Sequence, residues 1–136
     1  MAEPRSELTV ITKTKDLCTY IMTVTQKSPK HFRFTFVTRL QNLALDALES
    51  IIRANDVFVK KGDNPAYRER AHFQQNAMTS LKLVSYIAEI SMEAGCLLPK
   101  QFEQVARQTA ECEVLLGGWM AGDRNRFFRS ENASGK

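Results

Sequence analysis

From Phe34 to Phe58 the chain runs FTFVTRLQNLALDALESIIRANDVF, without a glycine or a proline. Apolar residues recur there at Val37, Leu40, Ala44, Ala47 and Leu48, Ile51 and Phe58, with Asn55 interrupting the seam. This alternation of three- and four-residue steps keeps one face of an α-helix apolar. At 1.5 Å per residue such a helix is roughly 35–40 Å long. A helix with a single apolar stripe does not persist alone in water and needs others of similar length against it.

The rest of the chain supplies three. Residues 1–5 read as a loose tail. Ser6 then caps a helix reaching about Lys27, with Val10, Leu17, Ile21 and Val24 as its stripe and Ile11 and Cys18 beside it. The β-branched run Thr9 to Thr12 would suit a strand, but the longer helical period outweighs it. Ser28-Pro29 closes that helix, because proline and the residue before it both leave the α region. The second helix is expected to end near Lys60-Lys61-Gly62, where two lysines meet the negative end of the dipole and glycine supplies the turn. Asn64 is the expected N-cap of the third helix and Pro65 its first residue. Phe73, Ala77, Leu81, Val84 and Ile87 form its stripe, widened by Leu83, Ile90 and Ala94, which predicts burial on two sides. Gly95 ends it and Pro99 opens a fourth helix running to about Ala121. The fourth stripe is Phe102, Val105, Thr109, Cys112, Leu116 and Trp119, with Trp119 read as a plug for the bundle end. Gly117-Gly118 implies either a close helix approach or fraying. Residues 122–136 read as a basic, disordered tail, whose Arg124, Arg126 and Arg129 flank Phe127-Phe128. That core is read either as a nucleic-acid contact by charge and stacking or as a segment folded back on the bundle. Four long helices with short connectors predict one all-α domain over residues 6–121, an up-down-up-down antiparallel four-helix bundle.

Composition narrows the class. The 136 residues are 43% hydrophobic and 25% charged, ordinary for a globular domain large enough to bury a core. No apolar run approaches the roughly 20 residues that span a bilayer, and MAEPRSEL has no signal-peptide core. A cytoplasmic protein without membrane contact is therefore expected. Cys18, Cys96 and Cys112 form no CxxC pair and read as small buried hydrophobes in a reducing compartment. The formal charge of +4 permits attraction to nucleic acid or to an acidic partner without demanding it.

No catalytic set stands out. A di-metal carboxylate bundle needs Glu-x-x-His pairs, and neither His31 nor His72 has a glutamate three residues before it. There is no phosphate-binding GxxxxGK loop and no GxSxG elbow. A small enzyme or metal site would have to draw on Glu89, Glu93, Glu111 or His72. Glu89 and Glu93 share a helix face but have no further ligands in view. No catalytic residue, cofactor or metal is therefore assigned.

The polar faces carry more. Arg39, Asp46, Arg53 and Lys60 recur every seven residues on the second helix. Arg68, Gln75, Lys82 and Glu89 do so on the third, with Arg70 nearby, and the fourth adds Lys100 and Arg107. The candidate nucleic-acid-binding residues are Arg39, Arg53, Lys60, Arg68, Arg70, Lys82 and Arg107, which neutralise phosphates if they converge. Interleaved Asp46, Asp56, Glu69 and Glu89 allow the alternative of an ordinary salt-bridged surface. The first connector, SPKHFRFTF, is read in two ways as well. Its Arg and Phe residues grip RNA or a partner, or its phenylalanines close the bundle end while its cations stay solvated.

Several marks recur in a fixed order: Ser28-Pro29-Lys30 then Arg33-Phe34, the helix opening Arg39-Leu40-Gln41-Asn42, a leucine-rich third helix, Leu97-x-Pro99-x-Gln101-Phe102, and Leu115-Leu116-Gly117-Gly118-Trp119. In these the chain, over residues 12–121, resembles the Avd-like four-helix-bundle family, the accessory proteins of diversity-generating retroelements. The resemblance implies a non-enzymatic protein that assembles as a homopentameric basic barrel. It implies association with the retroelement's reverse transcriptase and with nucleic acid, in support of error-prone copying of template RNA into cDNA. Lys82 stands where that family can place a basic residue, whereas Tyr86 and Val114 lie near other such positions and are not basic. The chain is also similar to the four-helix-bundle proteins encoded in intervening sequences of ribosomal RNA genes. Arg33-Phe34 and the Gly-Gly-Trp end favour the Avd-like branch. A protein-only adaptor, docking a partner through its aromatic ends, is the remaining alternative.

Overall fold

The structure, a computed structural model, describes residues 6–128. Four helices make up the fold: α1 Ser6–Thr25, α2 Thr38–Asp56, α3 Asn64–Glu93 and α4 Pro99–Asp123. Each packs on its neighbours in chain order, and α1 packs on α4 to close the square. Arg70 near the start of α3 pairs with Asp123 at the end of α4, and Gln41 near the start of α2 reaches Thr25 at the end of α1. The bundle is therefore antiparallel and up-down-up-down, as the short connectors require. No helix among the described residues is long and apolar enough to cross a membrane.

The expected stripes form the core. Val10, Leu17, Ile21, Leu40, Ala44, Ala47, Ile51, Ala77, Leu81, Val84, Val105, Cys112 and Leu116 are all buried. Thr109 sits among them fully buried and donates its hydroxyl to the Val105 carbonyl at 2.6 Å, so its polar atom needs no outside partner. Trp119 is buried at the bundle end. The three cysteines are buried thiols. Burial pushes Cys18 and Cys112 up to about 11, and it raises Cys96 as well. All three stay protonated at neutral pH.

Helix boundaries differ from expectation where tertiary contacts intervene. A 3₁₀ turn over Lys30–Phe32 and a π turn over Arg33–Val37 precede α2, so Phe34 and Phe36 lie outside the long helix. At its other end α2 stops at Asp56 rather than near Lys60. Val57 turns extended, and Arg70 of α3 donates Nη2 to the Val57 carbonyl at 2.7 Å. A continuing helix needs that carbonyl for its own ladder. Val59 then tucks in while Phe58 faces solvent, so Phe58 does not extend the stripe and Ala54 fills its last turn. Asp63, not Asn64, caps α3, accepting from the Ala66 amide at 3.2 Å. At the far end of α3, Gly95 takes φ +90°, with Gly95 N–H on the Met92 carbonyl and Cys96 N–H on the Ser91 carbonyl at 2.8 Å. This paired bonding beyond a left-handed residue is the Schellman helix stop.

The glycine pair in α4 marks neither a close approach nor fraying. The helix runs through both residues to Asp123. A Cβ at Gly117 would meet only Met78 Cε at 3.9 Å, and one at Gly118 meets nothing within 4 Å. Gly118→Ala is therefore expected to raise stability by about 0.5–1 kcal/mol, through lower unfolded-state entropy, measured by denaturant unfolding.

The tail is also shorter than expected. Gly122 and Asp123 belong to α4, and a π turn over Arg124–Phe128 follows. Of the two readings of the Arg-Phe core, the described part folds back: Phe127 stacks against Tyr67 at 5.9 Å and lies under Arg126 at 5.6 Å. The expectations for residues 1–5 and 129–136 lie outside the described residues.

Candidate nucleic-acid interface

Six of the seven candidate cations are exposed: Arg39, Arg53, Lys60, Arg68, Lys82 and Arg107. Arg39 stands on the wall of an open groove between α2 and α3, about 630 Å³ in volume, beside Phe34, Asn42, Asp46 and Ile87. Arg53 lies about 21 Å further along α2, at 1.5 Å per residue. It edges a second hollow with Asp56, Phe58, Glu69 and Phe73. Its guanidinium already grips Glu49 at 2.9 Å. Lys60 lies in the loop between α2 and α3, where its carbonyl accepts the Asp63 amide. Arg68 is on the exposed face of α3.

Lys82 and Arg107 belong to other sides of the bundle. Lys82 faces α4, where it lowers the carboxyl of Glu113 that burial raises. It is about 140° around α3 from Ile87, at 100° per residue, so it cannot share the Arg39 groove. Arg107 donates to Gln104 on its own helix at 2.8 Å. It precedes by one turn Glu111, which pairs with Lys13 of α1. The fold thus brings Arg39 and Arg53 to one seam but does not gather all six into one stripe.

Arg70 requires a correction. Its side chain is only 14% exposed and is not part of any surface stripe. Nη1 lies 3.2 Å from both oxygens of Asp123, Nη2 donates to Val57, and the guanidinium lies 5.9 Å from the Trp119 ring and 6.0 Å from Phe127. Gln74 Nε2 and Arg126 Nη2 also donate to Asp123, at 3.1 and 2.6 Å. Asp123 is fully buried, so this cluster ties the ends of α2, α3 and α4 together. The sequence held the signal. Arg70 is in phase with Gln74, Ala77 and Leu81, and Asp123 continues the spacing of Leu116 and Trp119. Reading residue 122 onward as tail hid it.

The carboxylates considered for a metal site are dispersed. Glu111 faces Lys13, His72 faces Asn76 at 3.4 Å, and no group of three His, Cys, Asp or Glu comes together among the described residues.

The clearest surface feature is apolar. Leu83, Tyr86 and Ile90, spaced three and four apart, lie on the outer face of α3 at 41, 66 and 46% exposure. The wide stripe of α3 is therefore buried on one side only within the chain. Val114 on α4 is also exposed. Comparison with models of known families, with curated proteins and with solved structures finds no match for this chain.

Proposed function

We propose that this chain is a non-enzymatic accessory protein of a diversity-generating retroelement. It works as a homo-oligomer, a pentamer in the reading its family resemblance gives, in the cytoplasm. Its partners are the element's reverse transcriptase and the template RNA or its cDNA. The observation that carries the proposal is the uncovered apolar face of α3, Leu83, Tyr86 and Ile90, to which Leu45 and Ile52 of α2 add exposed apolar surface. Solvent-facing apolar residues at helical spacing call for a partner surface. A second copy of the same bundle offers one, and closed symmetry repeats it. Assembly also repeats Arg39, Arg53 and Lys82 around the oligomer, so cations too scattered to bind well on one protomer act together by avidity.

The test is fluorescence anisotropy on a structured RNA across a salt series. Affinity is expected to fall steeply with salt, and Arg53→Ala and Lys82→Ala each to flatten the slope by about 1 per subunit engaged. Absence of binding at low salt would leave a protein-only adaptor, with the reverse transcriptase as its partner.

A further inference from the structure

Between Leu17 and Leu45 there is no Asp or Glu, while Lys27, Lys30, Arg33 and Arg39 all fall there. The chain's entire formal charge of +4 resides in this segment, and the remainder is balanced. The fold concentrates it at one end of the bundle. Thr25, Ser28, Lys30, Arg33, Thr38 and Gln41 line a hollow of about 440 Å³ between the end of α1, the first connector and the start of α2. No carboxylate lines it.

Its wall is held by internal hydrogen bonds. Gln41 Nε2 donates to Thr25 Oγ1 at 3.0 Å, and Thr25 Oγ1 to the Ile21 carbonyl at 2.6 Å. Ser28 Oγ donates to the Cys96 carbonyl at 2.9 Å, anchoring the connector to the loop after α3. Thr38 Oγ1 donates to the Arg33 carbonyl at 2.5 Å. Lys30 and Arg33 are exposed on this frame and make no ion pair among the described residues.

Thr38 also lines the neighbouring groove that holds Arg39 and Phe34. Here the aromatic residues divide. His31 stacks on Phe32 at 4.0 Å and Phe32 on Phe36 at 5.7 Å, whereas Phe34 is left out and 86% exposed. An open ring next to Lys30, Arg33 and Arg39, beside a hollow that no carboxylate lines, offers both things a single strand needs: positive charge for its phosphates and a platform for a base. A duplex keeps its base faces stacked and cannot use the ring.

We propose that the first connector is a site for single-stranded nucleic acid. Lys30 and Arg33 hold backbone phosphates at the hollow, an unstacked base lies on Phe34, and Arg39 takes a neighbouring phosphate. This rests on the nucleic-acid reading above and adds its location and strand type.

The test uses a labelled 20-nucleotide single-stranded RNA and a duplex of equal length, with wild type and variants at several salt concentrations. Wild type is expected to prefer the single strand. The double variant Lys30→Ala/Arg33→Ala should flatten the salt slope on the single strand by about 1.4, for two phosphates released. Phe34→Ala should weaken single-strand binding on the order of tenfold at unchanged slope, leave duplex binding unaltered, and be rescued by Phe34→Tyr, which keeps the ring. All three side chains are exposed, and circular dichroism verifies that the helices remain. If wild type binds but the connector variants match it while Arg53→Ala and Lys82→Ala weaken, the connector site is overturned and the helix-face reading stands. Equal losses on duplex and single strand with Phe34→Ala would overturn base stacking. A wild type that binds neither nucleic acid would overturn both readings.

Discussion

Asp123→Ala is expected to destabilise the fold by about 3–5 kcal/mol, the range for breaking a buried ion pair from one side. The carboxylate is fully buried and accepts hydrogen bonds from Arg70, Gln74 and Arg126. Without it, the Arg70 side chain, only 14% exposed, keeps the Val57 carbonyl alone, and the buried Gln74 amide loses its acceptor. The Nε of Arg70 is already buried without a partner, so the site has no slack. The contrast is Arg53→Ala. That removes an exposed pair with Glu49, worth less than about 1 kcal/mol. Urea unfolding of the two variants at one protein concentration makes the comparison. A loss below about 1 kcal/mol for Asp123→Ala would mean that packing of Trp119, not the charge cluster, holds that end.

Tyr86→Glu is expected to dissociate the proposed homo-oligomer into monomers without loss of helix. Tyr86 is 66% exposed within the chain and sits between Leu83 and Ile90. A carboxylate there leaves the isolated bundle undisturbed. Covered by a second copy it loses water, at a cost of about 4 kcal/mol, or roughly a thousandfold in the assembly constant, which the exposed Lys82 one turn away offsets only in part. Light scattering coupled to size exclusion reads the mass, and circular dichroism verifies the fold. A wild-type protein that is monomeric at all concentrations would remove the homo-oligomer from the proposed function.

What was legible in the sequence follows from where each signal lives. The stripe through Leu40, Ala44, Ala47 and Ile51 located the core face of α2, because helical phase is a property of consecutive residues. Gly95 and Pro99 marked the turn between α3 and α4 for the same local reason. The end of α2 was not legible. Lys60-Lys61-Gly62 is a sound helix stop, but Arg70 takes the Val57 carbonyl first. The choice between Asp63 and Asn64 as cap turned on one residue of register, which either side chain could satisfy. For the candidate interface, charge spacing found residues that are exposed, Arg39 and Arg53 among them. It could not say that Lys82 and Arg107 point elsewhere, nor that Arg70 serves the fold.

The sequence by itself determined an all-α chain of four amphipathic helices, their phases, and the plug position of Trp119, because periodicity and backbone breakers act within a few residues. Tertiary structure alone decided which polar groups became structural and which stayed free. Arg70 and Asp123 lie 53 residues apart, yet one end of the bundle sets them 3.2 Å from each other. Leu83 and Ile90 read as core on their helix, yet both are more than 40% exposed. What faces a side chain depends on which elements meet, and helical period carries no information about that.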